Sequence, residues 1–198
     1  TNDIETEVII SRAKSVAHAF SQAFFAGSTL VDTAGFDGLQ RLVSPSQTVN
    51  IGTNGGALTF DKLDEMIDRV QPGKPDLLIM SKRTRRKLKS LRRGDGVSTE
   101  MRLNEFGQQV ETYDGIPILV DDFCPEDETM GTGTALSSIW AVRFGQGHGL
   151  MGLEHGGIAI EKVGELETKD ATRHRIKWYC GLALFSELGV ARLPGITA

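Results

Sequence analysis

The chain has 198 residues, with 22 Lys and Arg against 26 Asp and Glu, 39% hydrophobic residues, 23 Gly and 2 Cys. This balance suits a globular chain able to bury about 70% of its unfolded surface, and it excludes collagen-like, disulfide-scaffold and wholly disordered classes. The net charge of −4 argues against general nucleic-acid binding, and no apolar run approaches the roughly 20 residues of a membrane span.

The acidic, polar opening from Thr1 to Glu7 leads us to expect no signal peptide. Ile4, Val8, Ile9, Val16, Phe20, Phe24 and Phe25 then recur at helical spacing, which predicts a long helix from Asp3 to Phe25 with Asn2 and Glu5 at its cap and Gly27 as its stop. Val31 to Thr59 is short-patterned and Gly-rich, with a brief apolar stretch from Leu39 to Val43. Thr59 caps a second helix on which Leu63, Met66, Ile67 and Val70 share one face. Leu77 to Met80 is a continuous apolar run, the pattern of a strand covered on both faces. Ser81 caps a third helix, Lys82 to Arg93, and Gly94 to Gln109 is expected to be a mobile loop. Strands follow at Val110 to Tyr113 and Ile116 to Val120, joined by the hairpin step Asp114-Gly115. Glu126 to Thr134 reads as a polar loop. Further strands are expected at Ser138 to Phe144, Ile158 to Val163, Arg173 to Leu184 and Val190 to Leu193, with Gly145 to Gly157 a connection. Helices and strands do not alternate regularly, so the fold class is α+β.

Catalytic chemistry finds little support in these residues. Gly147-His148-Gly149-Leu150-Met151-Gly152 fits G-x-G-x-x-G but leads into a strand pattern, so no helix N-terminus would receive a phosphate. His148 and His155 lack a third ligand at metal-site spacing. Cys124 lies among acids, which suppress a thiolate, and Cys180 sits in the aromatic strand Trp178-Tyr179-Cys180 and is expected to be buried. Two distant cysteines fit a reducing compartment. Neither an enzyme nor a cofactor or metal is expected. The basic helix is the loudest feature: eight cations between Lys82 and Arg93 with no acid among them. It suits phosphate binding, a solvated face, or contact with an acidic surface such as Asp121, Asp122, Glu126, Asp127 and Glu128 on another subunit. No aromatic residue interleaves it, so single-strand stacking is unsupported.

A series of segments runs nearly end to end: Ala23-Phe24-Phe25, Phe36-Asp37-Gly38-Leu39 and Gly55-Gly56-Ala57-Leu58, then Lys74-Pro75-Asp76-Leu77 continuing to Leu88. After these come Gly115-Ile116-Pro117-Ile118 continuing to Asp122, Ser138-Ile139-Trp140-Ala141 continuing to Gly145, Val163-Gly164-Glu165-Leu166 continuing to Lys169, and Trp178-Tyr179-Cys180-Gly181 continuing to Ala183. Their joint order resembles the major capsid proteins of tailed phages, with the Hong Kong 97 coat fold.

That resemblance implies an α+β Hong Kong 97-like capsid fold with a long spine helix. Residues 1–30 and 154–183 would form a peripheral domain, and residues 31–153 and 184–198 an axial domain. It implies a structural subunit of a phage or prophage capsid, self-assembling into hexameric and pentameric capsomers around double-stranded DNA. The subunit would sit in the virion, and in the host cytoplasm before assembly. Copies of itself would be its partners, with scaffold, portal or decoration proteins beside them, packaged DNA by proximity only, and no membrane. Lys82, Arg83, Arg85, Arg86, Lys89, Asp121, Asp122 and Glu126 become the candidate subunit contacts. Family members carry an N-terminal arm and an extended loop before the spine helix, and both are expected to be missing here. An encapsulin, a bacterial shell of the same fold that packages a cargo enzyme, is the close alternative. A nucleic-acid-binding module using residues 82–93 is the alternative of a different class.

Overall fold

The computed structural model describes residues 4–96, 100–103, 107–169 and 171–197. The expected cap at Asn2 lies outside them. Helix α1 spans Ile4–Ala26, 23 residues and about 35 Å. It stops where two backbones touch: Gly38 donates its N–H to Gly27 O at 2.9 Å, and a Cβ on Gly38 would lie 2.4 Å from Ala23 O. The apolar stretch that follows is the short helix α2, Leu39–Leu42. Helix α3, Phe60–Asp68, starts at the expected cap, with Thr59 Oγ1 accepting from the Lys62 N–H at 3.4 Å. Strand β1 is Leu77–Met80, and helix α4, Lys82–Gly94, is capped by Ser81, which accepts from the Thr84 N–H at 3.3 Å.

Strands β2 (Glu100–Leu103), β3 (Gln109–Tyr113) and β4 (Ile116–Val120) follow, then β5 (Glu128–Met130) and β6 (Gly133–Val142). The chain continues through β7 (Leu150–Glu165), β8 (Thr172–Leu184) and β9 (Val190–Ile196). The turn between β3 and β4 has Asp114 at φ 50° and Gly115 at φ 76°, the left-handed pair that the Asp-Gly step favours. Three expectations need correction. The described part of the 94–109 loop contains β2, paired antiparallel with β3; residues 97–99 and 104–106 lie outside the described residues. The polar 126–134 loop contains β5, which folds back on β6. The 145–157 connection gives way to β7 at Leu150, and Gly156 and Gly157 (φ 73° and 69°) form a bulge inside that strand rather than a loop.

The main sheet runs in the order β2-β3-β4-β1-β6-β5, with β9 also paired to β6. β1 is parallel to β4 and antiparallel to β6, so it is central, as its unbroken apolar run requires. The period of two then sorts its side chains between two cores. Leu78 and Met80 join Ile139 and Ala141 under α3 and α4, against Leu63, Met66, Ile67, Val70 and Leu88. Ile79 points the other way, with Trp140 and Val142, into a second core closed by Phe25, Leu39, Cys124 and Val190. Leu150 brings the start of β7 to this second core.

Strands β7 and β8 make a separate two-stranded ribbon, about 50 Å along its longer strand. Helix α1 lies against β8 through Phe20, whose ring is 4.8 Å from that of Trp178. Toward its N-terminus α1 meets β8 through Glu5, whose carboxylate lies 2.7 Å from His174 Nε2, and leaves a groove beside that contact. Ile4 and Val8 are 80% and 53% exposed, and Ile4, Val8, Val16 and Ile176 line an open groove of about 760 Å³. Of the apolar stripe on α1, Phe25 alone is buried. No helix among the described residues is long and apolar enough to cross a membrane.

Candidate subunit-contact site

The basic helix is held by its own minority face. Thr84, Leu88 and Arg92, four residues apart, turn inward. Arg92 is 3% exposed; it donates to Thr112 O at 2.7 Å and lies 5.4 Å from the centroid of the Tyr113 ring. Burial, and next a 2.7 Å hydrogen bond to Asp64, push the Tyr113 hydroxyl pKa upward, so it stays a donor.

Several of the expected contact residues meet one another inside one chain. Lys82 pairs with Asp122 at 2.7 Å across an exposed surface. Arg83 donates to Ser137 Oγ and Ala135 O at 2.6 Å and to Glu126 O at 3.0 Å. Lys89 pairs with Glu111. Asp121 accepts from the Phe123 N–H at 2.7 Å and shapes the turn after β4. Of this acidic loop, Asp122 and Glu128 pair with cations of their own chain, whereas the Glu126 and Asp127 carboxylates are exposed and have no partner among the described residues. Arg85 and Arg86 have no partner among the described residues, and Arg85 Nε is buried without a hydrogen bond.

One polar cluster escaped the sequence reading. Arg192 on β9 pairs with Glu128 at 2.6 Å, Gln40 donates to the same carboxylate oxygen at 3.0 Å, and Ser138 donates to the other oxygen. The Arg192 guanidinium lies 4.8 Å from the Trp140 ring centroid. The partners that hydrogen-bond Glu128 are 10 to 88 residues from it in sequence, and no local pattern links them.

The other candidates are the Gly147 to Gly152 motif, two histidines and the two cysteines. Gly147 to Gly152 is a turn into β7 with no helix behind it. His148 and His155 are exposed, and no metal-binding group of His, Cys, Asp and Glu occurs among the described residues. Cys124 is buried; burial, and next Glu128 and Asp121, push its thiol up to about 12. Cys180, expected to be buried, is half-buried, and its thiol is also raised, by burial and then by Glu154. The reason is that the ribbon carrying it packs on one chain only over part of its surface.

Comparisons with known proteins bear on this arrangement. The capsids of empty and native GTA particles share the fold with TM-scores of 0.63 and 0.65 at 15% and 16% identity, over 98% of this chain and 67% and 66% of theirs. The SrpI chain of the holo-SrpI encapsulin complex from Synechococcus elongatus PCC 7942 shares it with a TM-score of 0.80 at 21% identity, over 98% of this chain. This chain spans 66% of the length of that SrpI chain. No curated protein matches in sequence. The Hong Kong 97-like shell fold is thus present. A family model for the type 2A encapsulin shell protein, SrpI-like, matches residues 27–179, which moves the assignment away from tailed-phage coat proteins in particular. The chain belongs to the SrpI-like family of type 2A encapsulin shell proteins.

Proposed function

We propose that this chain is the shell-forming part of an encapsulin subunit, whose copies close into a protein compartment that encloses a cargo protein. The exposed ribbon carries the reading. Leu153, Ile158, Ile160, Val163 and Tyr179 are 47% to 64% exposed on a hairpin that joins the second core only at its Leu150–Leu184 end. Isolated two-stranded hairpins are marginal in water, and an apolar surface of this extent calls for a partner. In a shell, neighbouring copies supply it. The ribbon and α1 act as a peripheral domain and the main sheet with α3 and α4 as an axial one. The role is structural, with no catalysis of its own.

The likeness to the GTA capsids favours a second reading, a phage-type capsid enclosing double-stranded DNA and needing scaffold or portal proteins. Expression of the full-length gene product alone, followed by negative-stain microscopy and assay of nuclease-protected DNA, separates the two. Closed, DNA-free particles formed without a scaffold support the encapsulin reading. Particles that form only with a scaffold and protect DNA support the phage reading. Ile158→Lys with Ile160→Lys should lower the particle yield at unchanged helical content; unchanged yield would remove the ribbon argument.

A further inference from the structure

In the 121–128 loop Asp122 and Glu128 already pair with cations of their own chain, which leaves room for a second acidic surface against the basic helix. Helix α3 offers one. Asp61, Asp64 and Asp68 are exposed along one face, at i, i+3 and i+7. The cations on this helix are committed elsewhere: Lys62 and Arg69 both pair with Glu65, at 2.7 and 2.9 Å, and Arg69 also donates to the carbonyls of Ser46 and Thr48. Asp64 accepts only the neutral Tyr113 hydroxyl, and Asp61 and Asp68 have no partner among the described residues.

A second observation points to an occupant. Gln47 is 5% exposed, yet its Oε1 has no hydrogen-bond partner. It lines the hollow that Asp61, Asp64, Asp68, Arg69, Gln71 and Leu188 also line. A buried acceptor left unpaired costs stability, and here it sits among further acceptors. The Arg69 guanidinium at this hollow is already taken up by Glu65 and the Ser46 and Thr48 carbonyls, so no unpaired cation lines it among the described residues. A bound metal is disfavoured, because no three ligand-type side chains among the described residues converge. A guanidinium, with five donors in a planar fork, suits it better.

The matching donors lie on α4. After the internal pairs of Lys82, Arg83, Lys89 and Arg92, the cations still without partners among the described residues are Arg85, Arg86, Lys87 and Arg93. Arg86 and Arg93 are exposed and seven residues apart, about 10 Å along the helix. Asp61 and Asp68 are also seven apart, so the two helices present the same charge spacing with opposite sign. Both helices cover the same side of the main sheet. A rotation that repeats the subunit can bring one face against the other, the heterologous geometry of a ring.

We propose that the α3 face bearing Asp61, Asp64 and Asp68, with Gln47 in the hollow beside it, receives the Arg86–Arg93 face of α4 from a second copy of this chain. The inference rests on the shell reading and names one of its contacts.

The test uses the full-length protein in four forms: wild type; Asp61→Lys with Asp68→Lys; Arg86→Glu with Arg93→Glu; and all four substitutions together. Assembly is read by mass photometry and negative-stain microscopy, with circular dichroism checking the fold. Each double reversal alone places like charges at every contact and should lower the assembled fraction roughly tenfold. The fourfold variant restores opposite charges at every contact and should recover assembly; a 1:1 mixture of the two restores them wherever the variants alternate, at every contact of a six-membered ring and at four of five in a five-membered one, and should recover it in part. Moderate salt should weaken the wild-type contact, since exposed pairs are screened. Reversals that assemble like an assembling wild type, or folded reversals that neither mixing nor combination rescues, overturn this contact and leave the shell reading standing. A wild type that never assembles overturns both.

Discussion

Removing Arg192 should be the most costly single change among the polar residues. Its guanidinium is 2.6 Å from Glu128, with side-chain exposures of 19% and 12%. At an effective dielectric of about 20 the Coulomb attraction at that distance is about 6 kcal/mol, and desolvation of the two charges offsets much of it. Arg192→Met keeps the stem but strands the carboxylate with only Gln40 and Ser138 as donors, and it loses the contact with the Trp140 ring. The expected cost is about 3 to 4 kcal/mol. Glu128→Gln keeps the shape and one acceptor and should cost about 1 kcal/mol. The double variant strands no charge, so it should cost about 2 kcal/mol less than the sum. Urea unfolding of the unassembled chain, followed by tryptophan fluorescence, measures all three, because Trp140 is fully buried. A loss below about 1 kcal/mol for Arg192→Met, or additive single effects, would refute the reasoning.

Other consequences are open to measurement. The Thr29 backbone N–H, followed by the Thr29 hydroxyl and Arg41, holds the Asp37 carboxyl below its ordinary 3.8, against a smaller opposing effect of burial. A lowered folded value means that its contribution is present above 3.8 and lost as pH falls through the folded value. Melting temperatures of Asp37→Asn should therefore fall less steeply than wild type between about pH 5 and pH 2; parallel curves would remove Asp37 from the acid response. Cys124, pushed up to about 12, should react with a disulfide reagent at pH 8 about 100-fold more slowly in the folded chain than in urea; similar rates would contradict its burial. Gly38→Ala should cost about 2 kcal/mol by thermal unfolding, because its Cβ would meet the Ala23 carbonyl at 2.4 Å. A neutral effect would show that α1 can move away at little cost.

The elements that the sequence made legible are those whose signals are local. Thr59 and Ser81 as caps, the i, i+3, i+4, i+7 face of α3, the unbroken run of β1 and the Asp114-Gly115 turn all encode their structure within a few residues. Strand β2 was not legible, because Glu100 to Leu103 is exposed along its whole length and shows no burial alternation. Strand β7 was cut short by Gly156-Gly157, a pair that marks a turn in most contexts but here sits in a bulge held by β8. The basic helix was found by composition, but its partners were not. Which cation meets which acid depends on how β3, β4 and β6 bring Glu111, Asp122 and Ser137 beside it. The Arg192 cluster was out of reach for the same reason.

The central claim is that copies of this chain build a closed shell. Cryo-electron microscopy of the purified full-length gene product, expressed alone, tests it most directly. The account predicts hollow closed particles in which the main sheet and the β7–β8 ribbon repeat in every subunit, with the ribbon's apolar residues covered by neighbours. A monodisperse monomer at high protein concentration, with the ribbon still exposed, would contradict it.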